Sequence, residues 1–453
     1  MWLSLGFKNS PYDANALHVS KEDVELLVGR EKEAVTFQTL LESAQHGVCT
    51  ISGLPGVGKT SFFNIQQYLL ENGEADFGPK LLAARELCKI QPDDNVRSIA
   101  LRALGSLLYS IDKYCKLKHI SVPNETHKVN KWINQRPQSN ISLGLEILGC
   151  GGSFGRSIEV PSINDISFEG VQDVISCVVA ECINVLGFEG VFIGLDNIEN
   201  LDESFLQRLL ISFRDTLFTI PFAWWVLIGQ SGLSSLIKTL DPRVAERLTG
   251  SGLELPPIGI DALHEAIEKR VLRFFKSKKH DAIKAPLPTE IHNYLYKASH
   301  GEIRFVFKYS SDVCLRFINK MRENVLKDFK QVDDDRRSYL TRLVNEKITQ
   351  IMVESQIPPK LAMQILREIV VLEITGLQLK NKEKNVLDKI GKNKSARAKD
   401  YKDYNTRTLQ DFSSNYLLKF YKQHLLHREQ KGRSLEYSLR GLAFLASEFD
   451  QLK

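Results

Sequence analysis

Through the first half of the chain, short apolar or β-branched runs alternate with longer stretches of helical periodicity. The runs at Gln45–Ser52, Lys80–Ile90, Val191–Leu195 and Phe222–Ile228 read as buried strands. Between them lie helical patterns over Lys59–Leu70, Val96–Ile111, Val171–Leu186 and Glu203–Phe218. Strands alternating with helices predict a parallel α/β sheet. Residues 120–162 interrupt this rhythm with Pro, Gly and polar residues. Alternation at Ile141, Leu143, Leu145 and Ile147 precedes a Gly149-Cys150-Gly151-Gly152 turn. This pattern predicts an inserted β-hairpin, although a poorly ordered surface loop fits it equally well.

After Gly259 the pattern becomes helical. Asp261–Lys276 reads as a helix with Asp261 at its N-cap, followed by Glu290–Ala298 and, after Gly301, a helix to about Asn319. The charged stretch Lys327–Arg337 reads as a connector, and residues 346–453 as a separate helical unit with one late hairpin. The expected organisation is an N-terminal segment (1–30), a sheet core (31–258) carrying the insertion, a helical lid with connector (259–345), and a C-terminal domain (346–453). A length of 453 residues suits two or three domains.

Composition adds two constraints. The 43% hydrophobic and 25% charged content is that of a globular protein able to bury a core without disulfides. The seven cysteines are scattered with no CxxC pair, which fits reduced thiols in a cytoplasmic protein and excludes a disulfide framework. Met1–Asp13 has no basic region followed by an apolar run, and the longest apolar stretch, Ile220–Gly229, is too short to span a bilayer. No membrane partner is expected.

The chemistry begins at Gly53-Leu54-Pro55-Gly56-Val57-Gly58-Lys59-Thr60, a GxxxxGK[ST] loop between a predicted strand and a predicted helix. With Gly at about 7% of residues, a chance match in a chain of this length is only on the order of 1%. Glycines let main-chain N–H groups close around a triphosphate at a helix N-terminus. Lys59 supplies a mobile positive charge to the β- and γ-phosphates, and the Thr60 hydroxyl faces magnesium. Pro55, Gly56, Val57, Gly58 and Ser61 complete the expected contact set. The strand Val191–Leu195 ends in Asp196, where P-loop enzymes place the carboxylate that holds magnesium through water. The next residue is Asn197, an amide that cannot take a proton. Glu199 lies two residues on and is the substitute base. ATP with Mg2+ is the expected cofactor pair, with turnover that is slow or partner-stimulated.

On these residues the chain resembles the AAA+ P-loop ATPases, and within them the origin-recognition (replication initiator) branch and the related prokaryotic signal-transducing ATPases. Val28-Gly29-Arg30-Glu31 is similar to the family's adenine-side entry, which implies base contacts at Val28 and Gly29. The resemblance implies a first sensor at Gln230, at the end of Trp225–Gln230. It also implies an interface arginine at Arg247, or at Arg243, in Asp241–Leu248, and a second sensor at Arg304 in Gly301-Glu302-Ile303-Arg304. An interface arginine in turn implies ATP-dependent homo-oligomers. ATP would hold the closed arrangement better than ADP, because the γ-phosphate bridges core and lid.

Between Lys380 and Arg440 sixteen Lys and Arg face seven Asp and Glu, an asymmetry that suits an anionic partner. Helices at Lys382–Ile390 and Ser413–Lys422, then a basic hairpin His427–Leu439 turning at Gly432, resemble a winged helix-turn-helix domain. That resemblance places Ser413, Ser414, Asn415 and Lys419 at the major groove of double-stranded DNA. It sets Arg428, Lys431 and Arg433 against phosphates. Winged helices also bind proteins. The expectation is therefore an ATP-hydrolysing, DNA-binding switch, or alternatively a signalling or anti-foreign-DNA defence ATPase whose C-terminal domain recruits a protein effector.

Overall fold

A computed structural model describes the chain except Met1, residues 86–87, 135–166, 277–282, 327–332, 432–433 and Lys453. Its core is a five-stranded parallel sheet of β1 (Gly47–Gly53), β2 (Leu81–Ala84), β3 (Gly190–Leu195), β4 (Ala223–Gly229) and β5 (Leu253–Leu255), ordered β2-β3-β4-β1-β5. Every residue of β1, β3 and β4 is buried, as expected for parallel strands covered on both faces. The period of two is plain at β4. Trp224 packs with Phe37, Phe62 and Phe192 on one face, and Trp225 with Leu104, Val179 and Phe213 on the other.

Local chemistry sets the helix ends. Asn95 and Ser98 form a reciprocal capping box at the start of Val96–Lys118, and Asp202 caps Glu203–Arg214. In the lid, the helix Ile260–Phe274 starts one residue before Asp261, with Gly259 at its cap. Asp261 therefore stands in the first turn rather than at the N-cap, a position where the helix dipole still favours a carboxylate.

The insertion departs from expectation. Residues Asn124–Asn134 form a helix, not part of a hairpin. The reason lies on another helix: Glu181 accepts from the Glu125 N–H (2.9 Å), the Thr126 N–H (2.6 Å) and the Thr126 hydroxyl (2.7 Å). One carboxylate thus satisfies two of the orphan N–H donors at this N-terminus. The rest of the expected hairpin, from 135 onward, lies outside the described residues.

The lid helices Ile260–Phe274, Thr289–Ser299 and Ile303–Leu326 share one apolar cluster with the C-terminal unit and with Leu5, Phe7 and Tyr12 of the N-terminal segment. That segment is pinned at several points. The Lys8 N–H donates to the Phe274 carbonyl (2.6 Å), and the Tyr12 hydroxyl lies 3.1 Å from both the Leu287 N–H and His292 Nε2.

The C-terminal unit runs through the helix Asn381–Asn393, β6 (Ala396–Arg397), the 3-10 segment Ala398–Tyr404 and helical turns over 409–422. The hairpin β7 (Leu426–Lys431) and β8 (Ser434–Leu439) follows, then the helix Leu442–Glu448. Its three strands are antiparallel in the order β6-β8-β7. Among the described residues no helix is long and apolar enough to cross a membrane.

Candidate nucleotide site

The loop after β1 is built on backbone that only glycine adopts freely. Gly56 has φ +78° and Gly58 φ +96°, and Gly58 is the N-cap of the helix Lys59–Asn72. That helix presents its unpaired first-turn N–H groups to a cleft lined by Pro55, Gly56, Val57, Gly58, Lys59, Thr60 and Ser61. Lys59 Nζ folds back over the loop, donating to the carbonyls of Gly53 (2.8 Å) and Leu54 (3.2 Å). Burial lowers its pKa, while Glu199, Asp196 and Glu254 draw it up and Arg304 pushes it down. The ammonium thus sits within the field of three carboxylates and one guanidinium.

The acidic side of the cleft comes from the end of β3. Asp196, Asn197 and Glu199 all line it. The Asp196 carboxylate accepts from the Asn197 N–H (3.0 Å) and is ion-paired with buried Arg85, the residue that follows β2. Arg85 also donates to Asn64 Oδ1 (2.6 Å) and lies over the Phe63 ring at 5.1 Å. Asn197 has φ +65°, a left-handed conformation that Asn tolerates better than Glu does. Local backbone geometry therefore gives an amide a reason to stand there. On β5, Glu254 accepts from the Ser52 hydroxyl.

The remaining walls come from the lid and the N-terminal segment. Ile258, Ala266, Arg270, Ile303, Arg304 and Phe307 face Asp13–Leu17 and Leu26–Val28 across the cleft. Gly29, at φ +68°, lies against Ala262, which a Cβ would approach to 2.7 Å. Arg30 is buried and donates to the Val57 carbonyl (2.8 Å), bracing the phosphate loop from behind. The N-terminal segment is tied to the loop helix by Leu17 N–H to Ser61 Oγ (3.1 Å) and Asn64 Nδ2 to the Leu17 carbonyl (2.7 Å).

Gly29 and Gly53 fall outside the cleft lining, and three expected side chains also stand apart from it. Gln230 is exposed just beyond β4. Arg247 is half-exposed and 4.0 Å from Asp215. Arg243 lies near the same carboxylate, whose pKa it and Arg247 help lower after Arg214. Thr60 and Asp196 both line the cleft, and Thr60 opens the loop helix. A hydroxyl plus one carboxylate is the kind of donor set that suits magnesium, which keeps most of its waters and takes phosphate oxygens rather than a full protein cage. Among the described residues no cluster of three His, Cys, Asp or Glu side chains forms such a cage.

Outside the cleft, Glu302 of the lid presses on the phosphate loop: a Cβ on Gly56 would lie 2.4 Å from its carboxyl group. The same carboxylate is ion-paired at 2.5 Å with buried Arg440, just past β8. Around this pair the lid and the C-terminal unit share the Gly441 N–H to Ala298 carbonyl bond (2.7 Å), and His300 Nε2 lies 3.1 Å from the Leu439 carbonyl.

In the C-terminal unit, Ser414, Asn415 and Lys419 line a shallow basic depression with Lys380, Lys382 and Lys422, and Ser413 stands one residue before them. Lys419 is ion-paired with Glu383 at 2.5 Å, and Asn415 donates to Asp411 (2.7 Å). Arg428 lies over the Tyr421 ring at 4.4 Å, and Lys431 pairs with Glu436. Gly432 and Arg433 lie outside the described residues.

Sequence reasoning missed Arg85, Arg270, Glu254, the Glu302–Arg440 pair and the wall at Asp13–Leu17. A charged residue directly after an apolar strand was the available signal for Arg85. The others depend on contacts distant in sequence.

The sheet order β2-β3-β4-β1-β5, the glycine-rich loop after β1, the acidic end of β3 and the helices that follow β5 together form a P-loop-type α/β fold. The chain matches no protein-family model and no curated protein sequence. Among solved structures it is similar to the ORC2 protein of Aeropyrum pernix in its ADPNP–ADP complexes, at 13% identity and TM-score 0.49, over 99% of this chain and 97% of that one. The ORC1 protein of the same organism in complex with DNA is similar at 16% identity and TM-score 0.41, covering 95% and 94%. Cdc6p from Pyrobaculum aerophilum is similar at 14% identity and TM-score 0.39, covering 96% of each chain.

Proposed function

We propose that this protein is an ATP-binding and ATP-hydrolysing switch that binds DNA through residues 346–453, which we read as a winged-helix domain. The observation that carries this reading is the convergence of Lys59, Thr60, Asp196, Glu199 and Arg304 on one cleft, drawn from the sheet core and the lid. The first-turn N–H groups and Lys59 hold the phosphates. Thr60 and Asp196 would hold magnesium, which when bound would offset negative charge on the phosphates. Arg304, on the lid, reaches the γ-phosphate, so ATP draws lid and core together more strongly than ADP does.

Catalysis in this reading is mostly positioning and electrostatics. Glu199 orients and deprotonates the attacking water, because the Asn197 amide accepts no proton. Arg247, or Arg243, lies far enough from the cleft that it serves only a neighbouring copy of the chain. Gln230 contacts the site only after a side-chain rearrangement.

The strand order of the C-terminal unit, with helical turns 409–422 just before the hairpin, supports placing Ser413, Ser414, Asn415 and Lys419 in the major groove. Arg428 and Lys431 would lie on phosphates, with Arg433 alongside them. The internal pairing of Lys419 with Glu383 and of Lys431 with Glu436 favours a second reading, recruitment of a protein effector. An ATPase and binding assay with and without double-stranded DNA separates the two. DNA binding that weakens steeply with salt and is lost on reversing Arg428 and Lys431 supports the first. Binding indifferent to both changes excludes it.

A further inference from the structure

Asp196 is already paired with a cationic side chain, and the inference drawn from this rests on reading the cleft as a magnesium-nucleotide site. The carboxylate that would order the magnesium water shell is ion-paired with Arg85, and both residues are buried. The guanidinium is held from its other side by Asn64 Oδ1 at 2.6 Å and by the face of Phe63, so it is fixed beside the carboxylate rather than swinging in from solvent. Among the described residues its Nε has no hydrogen-bond partner. Asn64 in turn donates to the Leu17 carbonyl, in the segment that walls the cleft. A continuous chain of polar contacts thus runs from Asp196 through Arg85 and Asn64 to the cleft wall.

We propose that Arg85 is a positioning residue that sets the magnesium threshold of nucleotide binding by sharing the Asp196 carboxylate with the metal. A guanidinium on one oxygen withdraws negative charge and repels a second cation approaching the same group. It also keeps Asp196 oriented along the cleft, so the site is pre-shaped but has reduced affinity for magnesium. The cleft then fills only where metal and nucleotide arrive together, because the triphosphate supplies the charge that Arg85 takes away.

The test is a titration of a fluorescent ATP analogue across a range of free Mg2+ with wild type, Arg85→Met and Arg85→Lys, folding being checked by circular dichroism. Losing the cation lowers the Mg2+ concentration for half-maximal binding on the order of ten-fold in Arg85→Met. In Arg85→Lys the fall is about three-fold, since a shorter point charge cannot hold Asn64 and Asp196 together. The lysine variant also decides the matter if Arg85→Met does not fold. A folded variant whose Mg2+ requirement is unchanged or higher overturns this inference and leaves the nucleotide site intact. A wild-type protein that binds no nucleotide at any Mg2+ concentration overturns the underlying reading and this inference with it.

Discussion

Arg440, at the end of the C-terminal hairpin, is ion-paired at 2.5 Å with Glu302, the lid carboxylate that presses on Gly56 of the phosphate loop. Three parts of the chain therefore meet at one carboxyl group. If the loop holds phosphates, as proposed, their negative charge falls near Glu302 and its pairing with Arg440. Both partners are largely shielded, with side chains 4% and 18% exposed, so the contact is little screened. Removing Arg440 by Arg440→Met leaves the partly shielded Glu302 without its partner, and a loss of about 1–3 kcal/mol in stability is expected. The double variant with Glu302→Gln regains part of that loss, since no unpaired charge remains. Chemical denaturation of the single and double variants checks this non-additivity.

Gly56→Ala is expected to weaken ATP binding at least ten-fold. The new Cβ would lie 2.4 Å from the Glu302 carboxyl group at a residue whose φ is +78°. The backbone alone costs roughly 1–2 kcal/mol for an L-residue there. Combining it with Glu302→Ala removes the clash but not the backbone penalty, so binding recovers only in part.

Much of the candidate cleft was legible because its signals are local. The phosphate loop needs only eight consecutive residues between a strand and a helix. Asp196 needs only an apolar strand with an acid at its end. The sheet followed from the same reasoning, since runs such as Val191–Leu195 leave no polar face. The helix Asn124–Asn134 was not legible, because its N-terminus is satisfied by Glu181, a residue on a different helix. Arg85 was passed over for a similar reason. Its meaning comes from β2 lying beside β3, which brings the ends of both strands together. Residues Asp13–Leu17 carry no motif at all and wall the cleft through tertiary packing.

Turnover should depend on Glu199 rather than Asn197. Glu199→Gln is expected to lower steady-state ATP hydrolysis by roughly 10²–10³-fold, the usual scale for losing a general base, while leaving ATP affinity within a few-fold. Asn197→Glu restores a carboxylate next to Asp196 but places it at φ +65°. Its stability is expected to drop by about 1 kcal/mol. Phosphate-release assays alongside thermal melts separate the two effects.

Acid should loosen the contact between lid and hairpin. His300 and His427 stack with ring centroids 4.4 Å apart. Burial pulls the His427 pKa down to about 4, helped by His300 and Arg440, and burial also lowers that of His300. In the unfolded chain these imidazoles take up protons below about 6.5. Between about pH 6.5 and 4 the unfolded state therefore binds more protons, and stability falls as pH drops through that window. His427→Gln should flatten the slope of unfolding free energy against pH there by about 1–2 kcal/mol overall, allowing for partial exposure. Urea melts at pH 7.5, 6 and 5 measure it.

Calorimetric titration of ATP with Mg2+ into the wild-type protein and into Lys59→Ala tests the central claim most directly. The account predicts saturable one-to-one binding by wild type and affinity at least a hundred-fold weaker in the variant, because the single ammonium at the phosphates is gone. Wild-type protein that takes up no nucleotide, or binds it equally well without Lys59, would contradict it.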